Sequence, residues 1–236
     1  MTEFTSKDIG RRLLAQLTQP QTVKQRVWAS RIGWCKRRVY LAMRGEPTPP
    51  SYQAQLRMGE SSLVHAFIQG LLMKGYGGRE NYTVAHGPII GKADYIGPQG
   101  IVVEIKALKQ IPKKISVEYK RQLKATLYAF NGGKPHVGRG RLTSMLCPLG
   151  GKGLLLLVDK SKVFNPKHWS QTKQPIKAID IELAEEDIKQ IEERGNEILK
   201  AVDETMIPEM EGESPHSETC RYCSFHHVCY KMEKLK

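Results

Sequence analysis

Apolar positions recur first at helical spacing, then at strand spacing, and the two patterns alternate to the end of the chain. Ile9, Leu13, Leu14 and Leu17 follow a capping Ser6 and predict a helix over 6–17, ended by Pro20. Ser30 is a second capping residue. After it Ile32, Cys35, Val39 and Ala42 or Met43 carry a helix that Gly45-Glu46-Pro47 stops. Leu56, Leu63, Phe67, Leu71 and Leu72 form an apolar stripe over 56–74, and such a stripe is expected to face a core. The period then shortens. Residues 82–90, 92–96 and 101–105 read as strands, with turns at Gly91, Gly97-Pro98 and Gly100. A helix over 116–130 ends at Asn131-Gly132-Gly133, and 134–152 reads as a basic, Gly-rich loop. Residues 153–158 and 178–183 read as strands, and Ile188, Ile191, Ile198 and Leu199 line a charged helix over 184–202. The tail from Pro208 reads as irregular. This succession predicts an α/β fold, a mixed β-sheet flanked by helices. Its expected parts are an N-terminal helical segment (1–55), a core (56–205) and a Cys-rich segment (206–236) that packs back on the first.

Composition narrows the partner. The 236 residues include 37 Lys and Arg against 24 Asp and Glu, a net charge of +13. That balance calls for a polyanion, either nucleic acid or an anionic membrane surface. No apolar run approaches the ~18 residues of a membrane span; the longest, 154–158, is strand-sized. The first residues are polar and carry no apolar signal-peptide region, so the expected location is cytoplasmic, with no membrane partner. No GxxxxGK[ST] loop occurs, so ATP binding of that type is not expected.

Charged residues interrupt the apolar strands at one place. Asp94 ends Gly91-Lys92-Ala93-Asp94, and Glu104 and Lys106 share a face of the next strand, Val103-Glu104-Ile105-Lys106. The hairpin turn can bring Asp94 beside Glu104. Two adjacent carboxylates need a cation between them, and hard oxygen ligands suit Mg²⁺ or Mn²⁺. Such an ion polarises a phosphate and activates water, while Lys106 can act on that water or stabilise developing negative charge. His65, on the preceding helix, can complete the shell; Glu60 lies about 140° away round that helix and is the weaker ligand. Taken alone, Glu-x-Lys is a common surface pair, and a lone helical histidine is more often packed or solvated than a ligand. The joint order, and the embedding of Glu104 among Ile101, Val102, Val103 and Ile105, favour a site.

Cys220-x2-Cys223-x5-Cys229 supplies three thiols, one short of a tetrahedral set, and Cys35 is the candidate fourth. Four thiolates suit Zn²⁺ or an iron–sulfur cluster. Lys36, Arg37, Arg38, Arg221 and Lys231 could offset the negative charge of a cluster. His226 and His227 allow a local Cys3His zinc site instead, and Cys147 reads as a spare thiol.

These pieces occur in a recognisable order: Ser30-x-Ile32-x2-Cys35-x2-Arg38-x-Tyr40, Gly59-x5-His65, Gly91-x2-Asp94, Glu104-x-Lys106, Gln122 and the cysteine trio. The chain resembles the fourth family of CRISPR-associated proteins, iron–sulfur exonucleases of the RecB nuclease group within the PD-(D/E)XK superfamily. The resemblance implies a restriction-endonuclease-like core with an iron–sulfur cap joining the N- and C-terminal segments. It implies a metal on His65, Asp94, Glu104 and the Ile105 carbonyl, with Lys106 as catalytic lysine. It implies a cluster, 4Fe–4S, on Cys35, Cys220, Cys223 and Cys229. It also implies DNA cleavage, exonucleolytic on single strands or ends, serving CRISPR spacer capture alongside the integrase complex. Two positions depart from the family pattern: Thr126 stands where Gln-x3-Tyr would place a tyrosine, and Lys36 stands where proline is frequent.

Lys120, Arg121 and Lys124 crowd the helix of Gln122, and Lys134, His136, Arg139 and Arg141 follow it. Together they could line a phosphate channel, although any single lysine there could equally be a solvated surface charge. Tyr128, on another face of that helix, is a further DNA-contact candidate. Phosphate contacts rather than base reading are expected. The leading reading is a Mg²⁺- or Mn²⁺-dependent DNase carrying an iron–sulfur cluster. The alternatives are a viral or repair nuclease acting on DNA ends, a DNA-end-binding subunit with weak catalysis, and a zinc-capped nucleic-acid binder.

Overall fold

The apolar run at 154–158 shows how the sheet is built. It lies in strand β6 (Lys152–Asp159), whose side chains alternate between two cores: Leu155 and Leu157 enter one, Leu156 and Val158 the other. A strand covered on both faces has no solvent side, so it carries no polar alternation. Each fully buried leucine contributes about 1.5–3 kcal/mol relative to exposure. The computed structural model describes residues 25–45, 52–132, 134–135, 151–165, 174–211, 220 and 223–234. The helix expected over 6–17 lies outside them, as do His136, Arg139, Arg141 and Cys147 and the side chain of Lys134.

Among the described residues the sheet has seven strands. Its path runs β5 (Lys134–Pro135), β2 (Arg79–His86), β3 (Ile89–Ile96), β4 (Val102–Leu108), β6 and β7 (Ile176–Glu182), and β1 (Val27–Trp28) joins β3 in parallel. The β4–β6 pairing is parallel, whereas β2–β3, β3–β4 and β6–β7 are antiparallel, so the sheet is mixed as expected. Helix α2 (Tyr52–Tyr76) covers one face through Val64 and Ile68. Helices α3 (Val117–Gly132) and α4 (Glu185–Asp203) cover the other through Leu123, Leu127, Ile191 and Ile198. A smaller cluster joins Tyr40 and Leu41 of α1 (Lys36–Met43) to Ala201, Val202 and Phe225. No helix among the described residues is long and apolar enough to cross a membrane.

Several expectations need correction. Ser30 does not cap a helix; it sits in a 3-10 turn (Ala29–Arg31), because Val27 and Trp28 pair with Ile89 and Ile90, and α1 begins after Cys35. The stripe of Leu56, Leu63, Phe67 and Leu71 faces outward, with Leu63 70% exposed. The neighbouring face meets the sheet instead, fixed by Gln69, whose Nε2 donates to the Asp94 carbonyl at 2.6 Å. Gly91 is no turn. The β2–β3 turn is at Gly87-Pro88, where Gly87 takes φ +48°. Gly91 lies within β3 because α3 crosses there: a Cβ would stand 2.8 Å from Ala129 Cβ and 3.2 Å from the Thr126 backbone. The tail is not wholly irregular, since α5 (His226–Lys234) carries Cys229, and Lys134–Pro135 forms a short strand rather than loop.

The Gly91 crossing gives a direct test. Gly91→Val should destabilise the protein by about 1–3 kcal/mol through overpacking against α3, read as a lower melting temperature. An unchanged melting temperature would place α3 further from β3 than described.

Candidate active site

The β3–β4 ladder is paired at Ile96–Val102 and Tyr95–Val103 and then stops. At the next rung Asp94 substitutes its side chain for the missing partner: its Oδ2 accepts the Ile105 N–H at 2.7 Å. A strand residue's N–H and C=O project to the same edge, so the Ile105 carbonyl faces this opening too. The pleat of β3 also slips here. Ala93 belongs to the core on the α3 side, whereas Tyr95, two residues on, belongs to the core on the α2 side. Regular alternation would keep them together.

Both helical layers reach the opening. From α2, His65 Nδ1 lies 3.5 Å from Asp94 Oδ1. From β4, Glu104 is 2% exposed, and Lys106 Nζ donates to its Oε1 at 2.7 Å. From α3, Gln122 Oε1 accepts from Lys106 Nζ at 2.7 Å while Gln122 Nε2 donates to Glu104 Oε1 at 2.5 Å. The Tyr119 ring lies 5.5 Å from the Lys106 ammonium, within cation–π range. Burial pushes the Glu104 carboxyl up to about 7; Lys106 pulls it down and the nearby Asp94 charge adds to the rise. Among the described residues, no three His, Cys, Asp or Glu side chains converge closely enough to form a metal-holding group. The donor types nonetheless fit a hard divalent ion. Glu104 Oε2 has no hydrogen bond among the described residues, and in this arrangement Lys106 supplies its neutralising charge.

The remaining expected residues scatter. Glu60 is tied to Lys160 at 2.5 Å and is exposed. Lys124 is held by both Asp187 oxygens at 2.7 Å, so it is not a free phosphate ligand. Tyr128 is 2% exposed and its hydroxyl donates to Glu192 at 2.7 Å, which leaves no surface for DNA. Lys120 is exposed on α3, and Arg121, also exposed, borders the cysteines. Residues that the sequence reading missed are Gln69, Tyr119 and Asn81. Only Tyr119 had a signal, since it precedes Gln122 by three residues and shares its helical face.

Cys35, Cys220, Cys223 and Cys229 line one cavity of about 250 Å³. Burial pushes the Cys223 thiol up, Arg38 opposes the shift, and Cys35 and Cys220 are near enough to add to it. Arg37 is 2% exposed and donates from Nη1 to Cys229 Sγ at 3.4 Å and from Nε to the Pro208 carbonyl at 2.7 Å. Cys35 stands at the N-cap of α1, where the helix dipole favours negative charge. The donor types, four thiols beside arginines, suit a thiolate-ligated metal, although no three of the described thiols converge closely enough in this arrangement to form a metal-holding group.

The sequence matches the PD-(D/E)XK nuclease superfamily over residues 7–230. No curated protein matches it. Among solved structures the fold is similar to that of SSO0001, with 15% identity, a TM-score of 0.56, and coverage of 94% of this chain and 93% of that one. It is also similar to an alkaline exonuclease from Laribacter hongkongensis (15% identity, TM-score 0.46, 89% and 95% covered). A phage related exonuclease from Haemophilus somnus 129PT gives 14% identity and a TM-score of 0.48, with 72% and 80% covered.

The burial of Glu104 predicts a cost that a neutral isostere removes. Glu104→Gln should raise the melting temperature by several degrees at pH 8. A carboxyl whose folded value is raised loses stability as pH rises from the usual 4.5 toward about 7. The gap between variant and native protein should therefore shrink as pH falls from 7 toward 4.5. A gap independent of pH would mean Glu104 is not desolvated.

Proposed function

The chain belongs to the PD-(D/E)XK nuclease superfamily, and on that premise we propose that it hydrolyses DNA phosphodiesters at a centre made by His65, Asp94, Glu104 and Lys106. Nucleases of this superfamily use divalent metals. The donors here would be the Asp94 and Glu104 carboxylates, the His65 imidazole and the Ile105 carbonyl, a set suited to Mg²⁺ or Mn²⁺. When bound, the ion supplies polarisation of the phosphate and activation of water. The chain's own groups do the rest. Lys106 offers an ammonium where negative charge develops on the phosphate. Gln122 fixes Lys106 and Glu104 against each other, and Tyr119 screens the ammonium from bulk water. The Ile105 N–H orients Asp94. The observation that carries the reading is this last bond, at the rung where the β3–β4 ladder opens, because it gathers two carboxylates and an ammonium at one break in an apolar sheet.

We read the activity as exonucleolytic, on single strands or DNA ends, as the family resemblance implies. We read the group on Cys35, Cys220, Cys223 and Cys229 as a 4Fe–4S cluster, as the family resemblance implies, with Zn²⁺ as the alternative; either group on four thiolates is net negative, which the arginines of the shared cavity would offset. The same resemblance gives CRISPR spacer capture with the integrase as the cellular role, in the cytoplasm. End processing in viral replication or repair is the alternative role. Thr126, in place of the family tyrosine, favours a DNA-end-binding subunit with weak catalysis. Tyr119 on the same helix offers an aromatic beside Lys106 and restores the catalytic reading.

Cleavage of end-labelled single- and double-stranded DNA in Mn²⁺, Mg²⁺ or EDTA tests the centre. Lys106→Ala and Asp94→Ala should each lower the rate by about 10²–10³ while DNA affinity persists. Native rates in either variant would remove the assignment. Cys223→Ala should lose iron and visible absorbance and fold poorly, since cluster binding is coupled to folding. A stable, coloured variant would exclude that ligand set.

A further inference from the structure

A groove of about 640 Å³ runs between α2 and the β2–β3 hairpin, with His65 and Asp94 among its lining residues. Arg57, Ser61 and Ser62 line it from the helix, and Asn81 and Lys92 from the strands. Asp94 is the sole carboxylate among the described residues that line it. Lys92 is exposed and has no ionic partner among the described residues, unlike Lys124 on α3, which Asp187 already holds.

Asn81 is the unusual member. It stands in the interior of β2 with φ +52°, a left-handed conformation that asparagine tolerates but that a strand does not require. Glu80 pairs with Tyr95 and Tyr82 with Ala93, so Asn81 falls opposite Asp94, at the rung where the pleat of β3 slips. Its exposed carboxamide therefore lies beside the proposed reacting centre, in a backbone state that glycine would adopt more easily. Strained, exposed residues at such positions point to a role for the side chain.

Resting on the nuclease reading above, we propose that this groove is the binding site for the sugar–phosphate backbone of the DNA strand next to the cleaved bond. Lys92 neutralises a flanking phosphate, and the Asn81 amide donates to a phosphate or sugar oxygen. Neither residue reads bases, so the contribution is the same for different sequences. The strand thus approaches along α2, on the opposite side of the sheet from the channel expected along α3.

The test is fluorescence anisotropy of the full chain with labelled oligo-dT and oligo-dA in EDTA, over a range of salt. Lys177→Gln, at an exposed lysine on β7, serves as the control. Lys92→Gln should weaken binding of both oligonucleotides by about five- to tenfold and lower the salt slope by about 0.7. Asn81→Gly keeps the left-handed backbone, so its melting temperature should match or exceed that of the native chain while binding weakens at least threefold, which lies at the lower end of what the loss of one hydrogen bond costs. Lys177→Gln should bind like the native chain. Native affinity in Lys92→Gln, or in Asn81→Gly, overturns the groove assignment and leaves the nuclease reading standing. No binding of either oligonucleotide by the native chain overturns the nuclease reading and the groove with it.

Discussion

A buried carboxylate must be neutralised, and that constraint organises the centre of this molecule. Glu104 sits in a strand whose neighbours Val102, Val103 and Ile105 are all buried, and a lone anion there would cost several kcal/mol. The chain answers with Lys106 from the same strand and Gln122 from α3, and the three side chains close a triangle of hydrogen bonds. The triangle ties the sheet to α3 at one point. The opposite tie runs from Gln69 on α2 to the Asp94 carbonyl. Each helical layer is thereby anchored to one of the two strands that part at this point, so the opening between them is held from both sides.

The cysteine cavity rests on a second set of ties that do not involve sulfur alone. Arg194 of α4 donates to the Ile32 carbonyl at 2.7 Å, to the Trp34 carbonyl, and to both oxygens of Glu211 at 2.8 Å. Burial works to raise the Glu211 carboxyl, but Arg194 and Lys36 hold it below the usual range. Arg37 adds the Pro208 carbonyl. Residues 208–211 are thus drawn across α1 and α4, beside the cavity that Cys35 shares with the C-terminal trio.

Much of this was legible in the sequence where a residue type has one explanation. The run at 154–158 reads as a buried strand, and charges embedded in an apolar strand need a partner or a metal. The parts that were not legible depend on contacts between distant elements. Helix α2 has apolar residues on two adjacent faces, and periodicity reveals both without saying which meets the sheet; Gln69 and its bond to Asp94 decide it. Gly91 in a strand and Gly91 in a turn look alike until α3 is seen to cross at that residue. The two residues of β1 are too few to produce a pattern. Arg121 and Lys124 were read as part of a single basic face, but α4 brings Asp187 to one of them and the cysteine cavity adjoins the other.

The presence of threonine at position 126, four residues after Gln122, has a packing explanation of the same kind. Thr126 is fully buried, its hydroxyl donates back to the Gln122 carbonyl at 3.1 Å, and its backbone lies against Gly91 of β3. The position faces the sheet rather than the opening, so a ring there would have to displace β3. An aromatic able to reach Lys106 must instead come from the N-terminal turn of α3, which is where Tyr119 stands. Gln122 and Tyr119 are three residues apart and share a face, whereas Gln122 and Thr126 are linked through a backbone carbonyl. The close crossing of α3 over Gly91 and the placement of the aromatic before Gln122 therefore follow from one fact, the depth to which α3 settles on the sheet.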